Sequence, residues 1–264
     1  MNLKNSSFQN ISQLNINGVV IDDPIDISTK FNDFFVNVGP KTDLTIPLTQ
    51  NIKPEHFLKE RQQVEFDLEP VTHNEVLEII NNLEKKSTGP YSLPLELLKL
   101  IPDLIIAPLC NIINKSFSSG IFPDLLKIVK VIPIHKGGST QELNNYRPIS
   151  LLSIYDKIIE KLMHKRLYKF LDDNNILYEK QFGFRKNNST IYSLIEITEK
   201  IKESIDKGKF GCGIFIDLRK AFNTVNHNIL LKKLDHYGIR GDTLNWFKSY
   251  LYNRYQCFFK WAII

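Results

Sequence analysis

The sequence predicts an α+β fold, and two observations support this class. Apolar residues recur at helical spacing along most of the chain, which is typical of amphipathic helices. Strand patterns are few and short: one β-branched segment covers residues 127–135, and an apolar run from Ile214 to Ile216 ends abruptly at Asp217. The chain is therefore expected to combine several helices with a small number of strands.

Composition fits a globular protein with a mild basic bias. The chain has 264 residues, of which 42% are hydrophobic and 11% aromatic, and its formal net charge is +5. The positive charge suits a polyanionic partner without proving one. Three cysteines and six histidines show no zinc-ligand spacing, so zinc and structural disulfides are not expected. The absence of a membrane-length apolar run and of a signal-peptide core predicts an intracellular protein, in the nucleus or cytoplasm.

The first 65 residues are polar, rich in asparagine and interrupted by prolines. An amphipathic patch from Ile27 to Val38 predicts one short helix that docks on the following domain, within an otherwise loosely ordered lead-in. The pattern sharpens at Thr72-His-Asn-Glu75, which predicts a capping box at the start of a helix.

A basic turn follows that helix, from Lys85 to Pro90. Its lysines, Lys85 and Lys86, could meet phosphate groups or could simply be solvated. A largely buried helix is predicted over Ile101–Phe117, and Gly120 is expected to close it.

Two strands joined by a turn-rich connection are predicted next. The segment of residues 127–135 leads through Lys136-Gly-Gly into a second strand, Asn145–Leu152. This hairpin presents Lys136 and Arg147, which are cations of the kind that bind a triphosphate. From chemistry alone the alternative stays open that Arg147 is a structural cation and Lys136 a solvated turn residue.

Two more helices and a loop precede the run that ends at Asp217. A long amphipathic helix is predicted over Ser153–Leu171, and its basic face could be merely solvated. The loop Gln181-Phe-Gly-Phe-Arg185 could stack a base and grip a phosphate, or could be a buried anchor. Ser189 begins another helix, whose apolar stripe is expected to lie in the core.

Asp217 is the most informative acidic residue in the chain. A carboxylate at the end of a strand can hold a metal ion, because the strand fixes the side chain while the following turn leaves it open. The same residue could instead cap the next helix. Phosphoaspartate hydrolases also use a strand-end aspartate, but they resemble Asp-x-Asp at this turn, and Arg219 occupies the second position here.

The residues after Asp217 add a family resemblance. The sequence Asp217-Leu-Arg-Lys-Ala-Phe222, followed by Val225 and His227, resembles the first catalytic motif of reverse transcriptases from LINE-type, non-LTR retrotransposons such as jockey. In two places the chain has asparagine where that family usually has aspartate: Asn223 and Asn226.

Three other motifs resemble the same family and occur in its order. The basic turn before Pro90 matches, with Tyr91 in place of an aspartate. The second motif is Pro-Ile-x-Lys-x-Gly followed by Asn145-Tyr-Arg-Pro-Ile-Ser-Leu-Leu. The third is Gln-x-Gly-Phe-Arg, which ends at Arg185. The resemblance extends over roughly residues 66–264.

The resemblance implies a right-hand polymerase fold. Residues 1–65 would form a lead-in and residues 66–118 a helical region before the core. The reverse transcriptase domain would occupy residues 119–264, with fingers at 119–207 and the start of the palm at 208–264. The chain is expected to be truncated within the palm, because it stops on an apolar strand and lacks the family's second catalytic motif, an aromatic-x-Asp-Asp turn.

The resemblance also assigns roles to individual residues. Asp217 would hold two catalytic magnesium ions, with the backbone carbonyl of Leu218 as a second ligand. Phe222 would lie under the sugar and exclude a 2′-hydroxyl. Lys136 and Arg147 would contact the triphosphate. Two residues of the aromatic loop would contact the template: Gln181 and Arg185.

The implied activity is that of an RNA-directed DNA polymerase of a mobile element, which adds deoxynucleotides to a primer 3′-OH on an RNA template by a two-metal mechanism. Its partners would be an RNA template, a DNA primer and deoxynucleoside triphosphates, without a membrane, and no protein partner can be inferred. Without the second motif, these residues are expected to be inactive alone. Two alternatives stay open: an RNA-binding fragment without catalysis, and a degenerate remnant of an element.

Overall fold

The computed structural model describes most of the chain, namely residues 11–43, 57–58, 60–85, 89–91, 93–218 and 221–258. In chain order their strands and helices are β1 (Leu14–Ile16), β2 (Val19–Ile21), α1 (Pro24–Asp43), α2 (His73–Asn81), α3 (Leu95–Leu100), α4 (Pro102–Ser119), β3 (Ile128–His135), β4 (Tyr146–Leu151), α5 (Ile154–Asp173), α6 (Thr190–Asp206), α7 (His227–His236), α8 (Gly241–Leu251) and β5 (Tyr255–Cys257). None of the helices in these ranges is both long enough and apolar enough to cross a membrane.

The chain divides into two compact units. The first comprises the residues up to His164 and those from Phe222 onward, and the second comprises Lys165–Ala221. This division does not test the expected boundaries of the fingers and the palm, at residues 119 and 208, and these boundaries stay predictions.

A small mixed sheet lies in the first unit, with the strand order β4-β3-β5. Strands β3 and β4 form the predicted antiparallel hairpin, in which Ile134 lies opposite Arg147. Strand β5 joins the other edge of β3 in parallel, with Ile128 opposite Tyr255. The apolar strand expected at the end of the sequence is thus confirmed over Tyr255–Cys257, while its predicted continuation over residues 259–264 lies outside the described residues.

The inner face of the β3–β4 hairpin packs on the first helix. Val131 and Tyr146 share one buried cluster with Phe31 and Phe35 of α1. The Phe31 and Tyr146 rings meet edge to face at 5.0 Å between centroids, a favourable aromatic geometry. The predicted docking helix is therefore confirmed, and it is longer than the patch that predicted it.

A hairpin that the sequence did not predict precedes this helix. Strands β1 and β2 are three residues each, and Leu14 of β1 is fully buried in the same cluster as α1. The turn uses Asn17 and Gly18, both at positive φ, which is the usual chemistry of a two-residue hairpin turn. The lead-in thus contributes Leu14, Phe31 and Phe35 to the core, and the expectation of loose order is wrong for the segment that these residues span. Residues 1–10, 44–56 and 59 of the lead-in lie outside the described residues.

Predicted helix ends agree with the structure around α2 and α4. Thr72 and Glu75 form the reciprocal capping box. Gly120 ends α4 in a left-handed conformation, at φ 64, as expected for a helix-terminating glycine. A side chain at this position would also collide, since its Cβ would lie 2.7 Å from the Asp242 carbonyl oxygen.

Helix α6 in the second unit contradicts its prediction. Its apolar stripe was expected to lie in the core, yet none of its residues is buried. Leu194 and Ile205 are largely exposed. An amphipathic pattern shows that a helix can bury one face, but it does not show that a covering surface is present.

Helix α5 begins with a buried carboxylate. Asp156 accepts hydrogen bonds from the backbone N–H of Ser153 at 3.1 Å and from its hydroxyl at 2.7 Å. Its Oδ1 atom is buried without a hydrogen-bond partner among the described residues. Burial therefore raises the pKa of Asp156 from 3.8 to about 6, against the opposing effects of the Ser153 hydrogen bonds and the Arg254 charge.

We expect Asp156→Asn to change how stability depends on pH. Because the folded-state pKa is raised, the contribution of Asp156 to stability is complete below about pH 4 and is lost as pH rises through about 6. The neutral amide avoids that loss, so the variant should gain on the order of 2 kcal/mol relative to wild type between pH 4 and pH 7.5. Urea unfolding at both pH values measures the gain.

Asp103→Asn is the matched control, because Asp103 is an exposed first-turn residue of α4. It should show no comparable gain. An equal pH dependence for wild type and Asp156→Asn would contradict the buried-carboxylate explanation.

Candidate nucleotide and nucleic-acid site

The register of the β3–β4 hairpin places Lys136 and Arg147 on one face. Side chains alternate along a strand, and residues directly opposite each other in an antiparallel pair project to the same side. Arg147 lies opposite Ile134. Ile134 precedes Lys136 by two residues, so Ile134 and Lys136 project to the same side. The Lys136 N–H donates to the Asn145 carbonyl at 2.8 Å, which extends the pairing by one position. Both cationic side chains are exposed, on the face opposite to that of buried Tyr146.

Apolar side chains lie beside these cations on the same face. Ile134 and Ile149 alternate with Lys136 and Arg147 in the register, and both isoleucines are partly exposed. We call this surface, made of Ile134, Lys136, Arg147 and Ile149, the cationic hairpin face.

The turn that joins the two strands depends on glycine. Gly137 and Gly138 have φ values of 116° and 83°, which other residues rarely adopt. A Cβ on Gly138 would lie 2.7 Å from the Asn145 side-chain amide. The turn therefore holds Lys136 close to the start of β4.

Arg185 is held by its own unit. Its guanidinium donates to Asp172 Oδ1 at 2.9 Å and to the Tyr178 carbonyl at 3.2 Å, and its side chain is only 18% exposed. Gln181 is exposed and donates to the Gly183 carbonyl at 3.2 Å. Their predicted contact with a template stays a prediction, but Arg185 already has a carboxylate partner that sequence spacing did not reveal.

Asp217 does not follow a strand. Residues 209–218 have no regular secondary structure, and Ile214, Phe215 and Ile216 are each more than 80% exposed. The predicted strand is therefore wrong for this segment, because a strand is stable only when a neighbour pairs with its backbone. Asp217 and Leu218 are exposed as well.

Phe222 lies on a short 3₁₀ turn, Ala221–Thr224, and is largely exposed. Two residues of the same motif, Arg219 and Lys220, lie outside the described residues. The roles predicted for Asp217, Leu218 and Phe222 stay predictions.

The described residues do not by themselves fit a two-magnesium site. Nowhere among them do three or more His, Cys, Asp or Glu side chains gather in a geometry that could hold a metal ion. Asp217 brings a single exposed carboxylate, whereas a two-metal site needs carboxylates that converge from more than one segment.

Gly89, in the basic turn after α2, lies against the end of strand β4. The Gly89 N–H donates to the Leu152 carbonyl at 2.9 Å, and a Cβ on Gly89 would lie only 2.2 Å from the Leu151 carbonyl oxygen. Lys85 forms an exposed ion pair with Glu96 at 2.6 Å. Lys86 lies outside the described residues. A close backbone approach thus explains the glycine of this turn.

Comparison with known proteins identifies the family of the segment that carries the cationic hairpin face. The family model "Reverse transcriptase (RNA-dependent DNA polymerase)" matches residues 134–263. That range includes Lys136, Arg147, Arg185, Asp217 and Phe222.

Three of the curated relatives come from mobile elements of Drosophila melanogaster. A probable RNA-directed DNA polymerase from transposon BS is 33% identical over 200 residues, which is 73% of this chain and 21% of that protein. The RNA-directed DNA polymerase from mobile element jockey is 34% identical over 68% of this chain and 20% of its own length. A probable RNA-directed DNA polymerase from transposon X-element is 30% identical over 64% of this chain and 19% of its own length. The chain therefore spans about a fifth of the length of these relatives.

We expect Asp172→Asn to loosen the loop that contains Arg185. The variant removes the charge partner of a mostly buried guanidinium, and a loop that opens more often is cut faster by proteases. Limited trypsin digestion should cleave after Arg185 or Lys186 several-fold faster than in wild type.

The neighbouring residue provides the control, since Asp173 pairs with Lys169 in an exposed i,i+4 pair of little energetic weight. Asp173→Asn should leave the cleavage rate unchanged. Equal rates for the two variants would show that the Asp172–Arg185 pair does not hold the loop.

Proposed function

This chain belongs to the reverse transcriptase family, among those of jockey-like non-LTR mobile elements, and we propose that it serves RNA-templated addition of deoxynucleotides to a primer 3′ end. The observation that carries the proposal is the cationic hairpin face, which lies within the matched segment. The activity belongs to the longer protein of which such a segment forms part.

The cationic hairpin face has the chemistry to bind an incoming nucleotide. Arg147 offers a planar fork of donors that can bind phosphate oxygens in pairs, and Lys136 offers a compact point charge. Negative charge builds on the leaving pyrophosphate as the new bond forms, so fixed cations there stabilise the transition state. Ile134 and Ile149 add apolar surface next to the cations, which suits the base or sugar of the same ligand.

Packing behind the hairpin makes these cations preorganised. The opposite face is fixed by the contacts of Val131 and Tyr146 with α1. A charged group on a rigid element loses less conformational freedom on binding than one on a mobile loop. In the proposal, this hairpin belongs to the fingers, and the segment from residue 208 begins the palm.

The remaining family roles complete the proposal. Phe222 would exclude ribonucleotides by its bulk next to the 2′ position, and Gln181 and Arg185 would lie beside the template. Asp217 and the Leu218 carbonyl would each supply one ligand to divalent metal, which supplies charge stabilisation to nucleotidyl transfer when bound. Because the described residues do not fit a complete metal site, we assign no reaction step to it.

A second function is favoured for residues 1–264 in isolation. Asp217 is a lone, exposed carboxylate, so these residues by themselves should bind RNA without extending a primer. Binding that weakens steeply with salt, without nucleotide incorporation, would support this non-catalytic role.

We expect Asp217→Asn to abolish primer extension by the full-length protein on an RNA template. The variant keeps the size of the side chain but removes the charge that a metal ion requires. Asp206→Asn, at an exposed position near the end of α6, is the control and should retain activity. Activity of Asp217→Asn close to that of wild type would refute the assignment.

We expect Lys136→Gln and Arg147→Gln to raise the KM for deoxynucleoside triphosphates by about tenfold or more, since a hydrogen bond to a charged group contributes ~1.5–3 kcal/mol. The effect should be larger for Arg147, which can make paired contacts. Steady-state primer extension measures it, with exposed Lys115 on α4 replaced by Gln as the control. Unchanged KM values for both hairpin variants would exclude a triphosphate site on this face.

A further inference from the structure

The connection between strands β3 and β4 is longer than most hairpin connections, since it runs over residues 136–145. Gly137 and Gly138 give its first part conformational freedom, because no Cβ restricts them. A connection of this length could fold over either face of the hairpin. The contacts that hold it therefore decide whether the cationic hairpin face is open to a ligand.

Three consecutive carbonyl groups of this connection each accept a hydrogen bond, namely those of Ser139, Thr140 and Gln141. Their donors come from three different places. In the same order they are the Asn145 side-chain amide at 3.0 Å, the Tyr146 hydroxyl at 2.7 Å and the Asn15 backbone N–H of strand β1 at 2.9 Å. We call these three contacts the loop clasp.

The loop clasp holds the connection on the inner side of the hairpin. Tyr146 is only 5% exposed and shares a buried cluster with Leu14, the residue before Asn15. Leu143 of the connection packs against the same cluster. The connection is therefore fixed on the side of α1, away from the cationic hairpin face.

The Tyr146 hydroxyl contributes to the loop clasp independently of its ring. Burial raises the pKa of Tyr146, so the hydroxyl stays protonated and acts as the donor to Thr140. The ring is held by its edge-to-face contact with Phe31 and by the His135 ring at 5.2 Å between centroids. Removing the hydroxyl alone should therefore leave the ring in place and release only the Thr140 carbonyl.

The Asn15 N–H is available to the connection because strand β2 does not use it. Asn15 lies opposite Val20 in the β1–β2 register, and its N–H bonds to the Gln141 carbonyl outside that hairpin. Strand β1 also precedes residues 134–263, the segment that matches the family model. The loop clasp thus joins the lead-in to the connection that follows Lys136.

We propose that Tyr146 and Asn15 are positioning residues for nucleotide binding, because the loop clasp keeps the connection off the cationic hairpin face and leaves its cations open to a triphosphate. Neither residue touches the ligand in this proposal. Tyr146 acts through the Thr140 carbonyl and Asn15 through the Gln141 carbonyl. The role in nucleotide binding rests on the proposed function, whereas the loop clasp follows from the contacts themselves.

Tyr146→Phe in the full-length protein tests the role most directly. The variant should raise the KM for deoxynucleoside triphosphates by about fivefold, which is the size of effect that one lost hydrogen bond produces. The kcat at saturating nucleotide and the affinity for the RNA template should stay within about twofold of wild type, because the variant changes access to the nucleotide site alone. General damage to the fold would instead lower kcat.

A pair of substitutions at Asn15 tests the second contact. Asn15→Pro removes the N–H, and an edge strand tolerates proline where its N–H is not part of the ladder, so the KM should rise as in Tyr146→Phe. Asn15→Ala keeps the N–H and loses only the side-chain bond to the Gly18 N–H. It should leave the KM unchanged.

Limited trypsin digestion of the same proteins measures the loop clasp without reference to activity. A released connection is cut more often, so cleavage after Lys136 should be several-fold faster in Tyr146→Phe and in Asn15→Pro. Tyr252→Phe is the matched control, because it loses a hydroxyl hydrogen bond of the same length, 2.7 Å, to Asn228. Its cleavage after Lys136 and its KM should equal those of wild type.

The outcomes distinguish this proposal from the proposed function. Faster cleavage with a raised KM and an unchanged kcat supports the positioning role. Faster cleavage with an unchanged KM in both variants overturns that role, and cleavage at the wild-type rate in both overturns the loop clasp itself. Unchanged KM values for Lys136→Gln and Arg147→Gln, with faster cleavage in the clasp variants, overturn the nucleotide site and its positioning residues but leave the loop clasp standing.

Discussion

The packing of α1 against the inner face of the β3–β4 hairpin is the constraint on which the first unit depends. Phe31 and Phe35 cover Val131 and Tyr146, and this burial decides which face of the hairpin is turned inward. Because side chains alternate along a strand, the same choice turns Lys136 outward. A shift of one residue in register would bury the cations and expose the core residues, so hydrophobic packing and the proposed chemistry are set by the same register.

In the second unit, polar contacts hold a loop in place. Its loop is held by the Asp172–Arg185 pair and by backbone hydrogen bonds, with little apolar burial. This ion pair joins a mostly buried guanidinium to a half-exposed carboxylate, and the desolvation of the guanidinium offsets much of the attraction between the two charges. The loop is thus fixed by polar contacts, while the hairpin keeps its cations exposed by burying the opposite face.

Local signals in the sequence predicted much of this fold. The capping box at Thr72, the stop at Gly120 and the hairpin with its cations all follow from rules that act over a few residues. Long-range pairings were not predictable in this way: β5 joins β3 in parallel across more than a hundred residues, and Asp172 meets Arg185 across a loop. Two predictions failed, for the apolar stripe of α6 and for a strand at Ile214–Ile216, and they share one cause. An apolar pattern indicates that a segment tends to be buried, but it does not show that a covering surface or a pairing strand is present.

Photolabelling with 8-azido-dATP tests the central claim, that the outer face of the hairpin is where this reverse transcriptase segment meets the incoming nucleotide. We expect the label, mapped by peptide sequencing, to fall between Ile134 and Ile149 and to be displaced by unlabelled deoxynucleotide. Replacing Lys136 and Arg147 together by Gln should remove the label from this peptide. Displaceable labelling elsewhere in the chain, with the hairpin peptide unlabelled, would show that the nucleotide does not bind at this face.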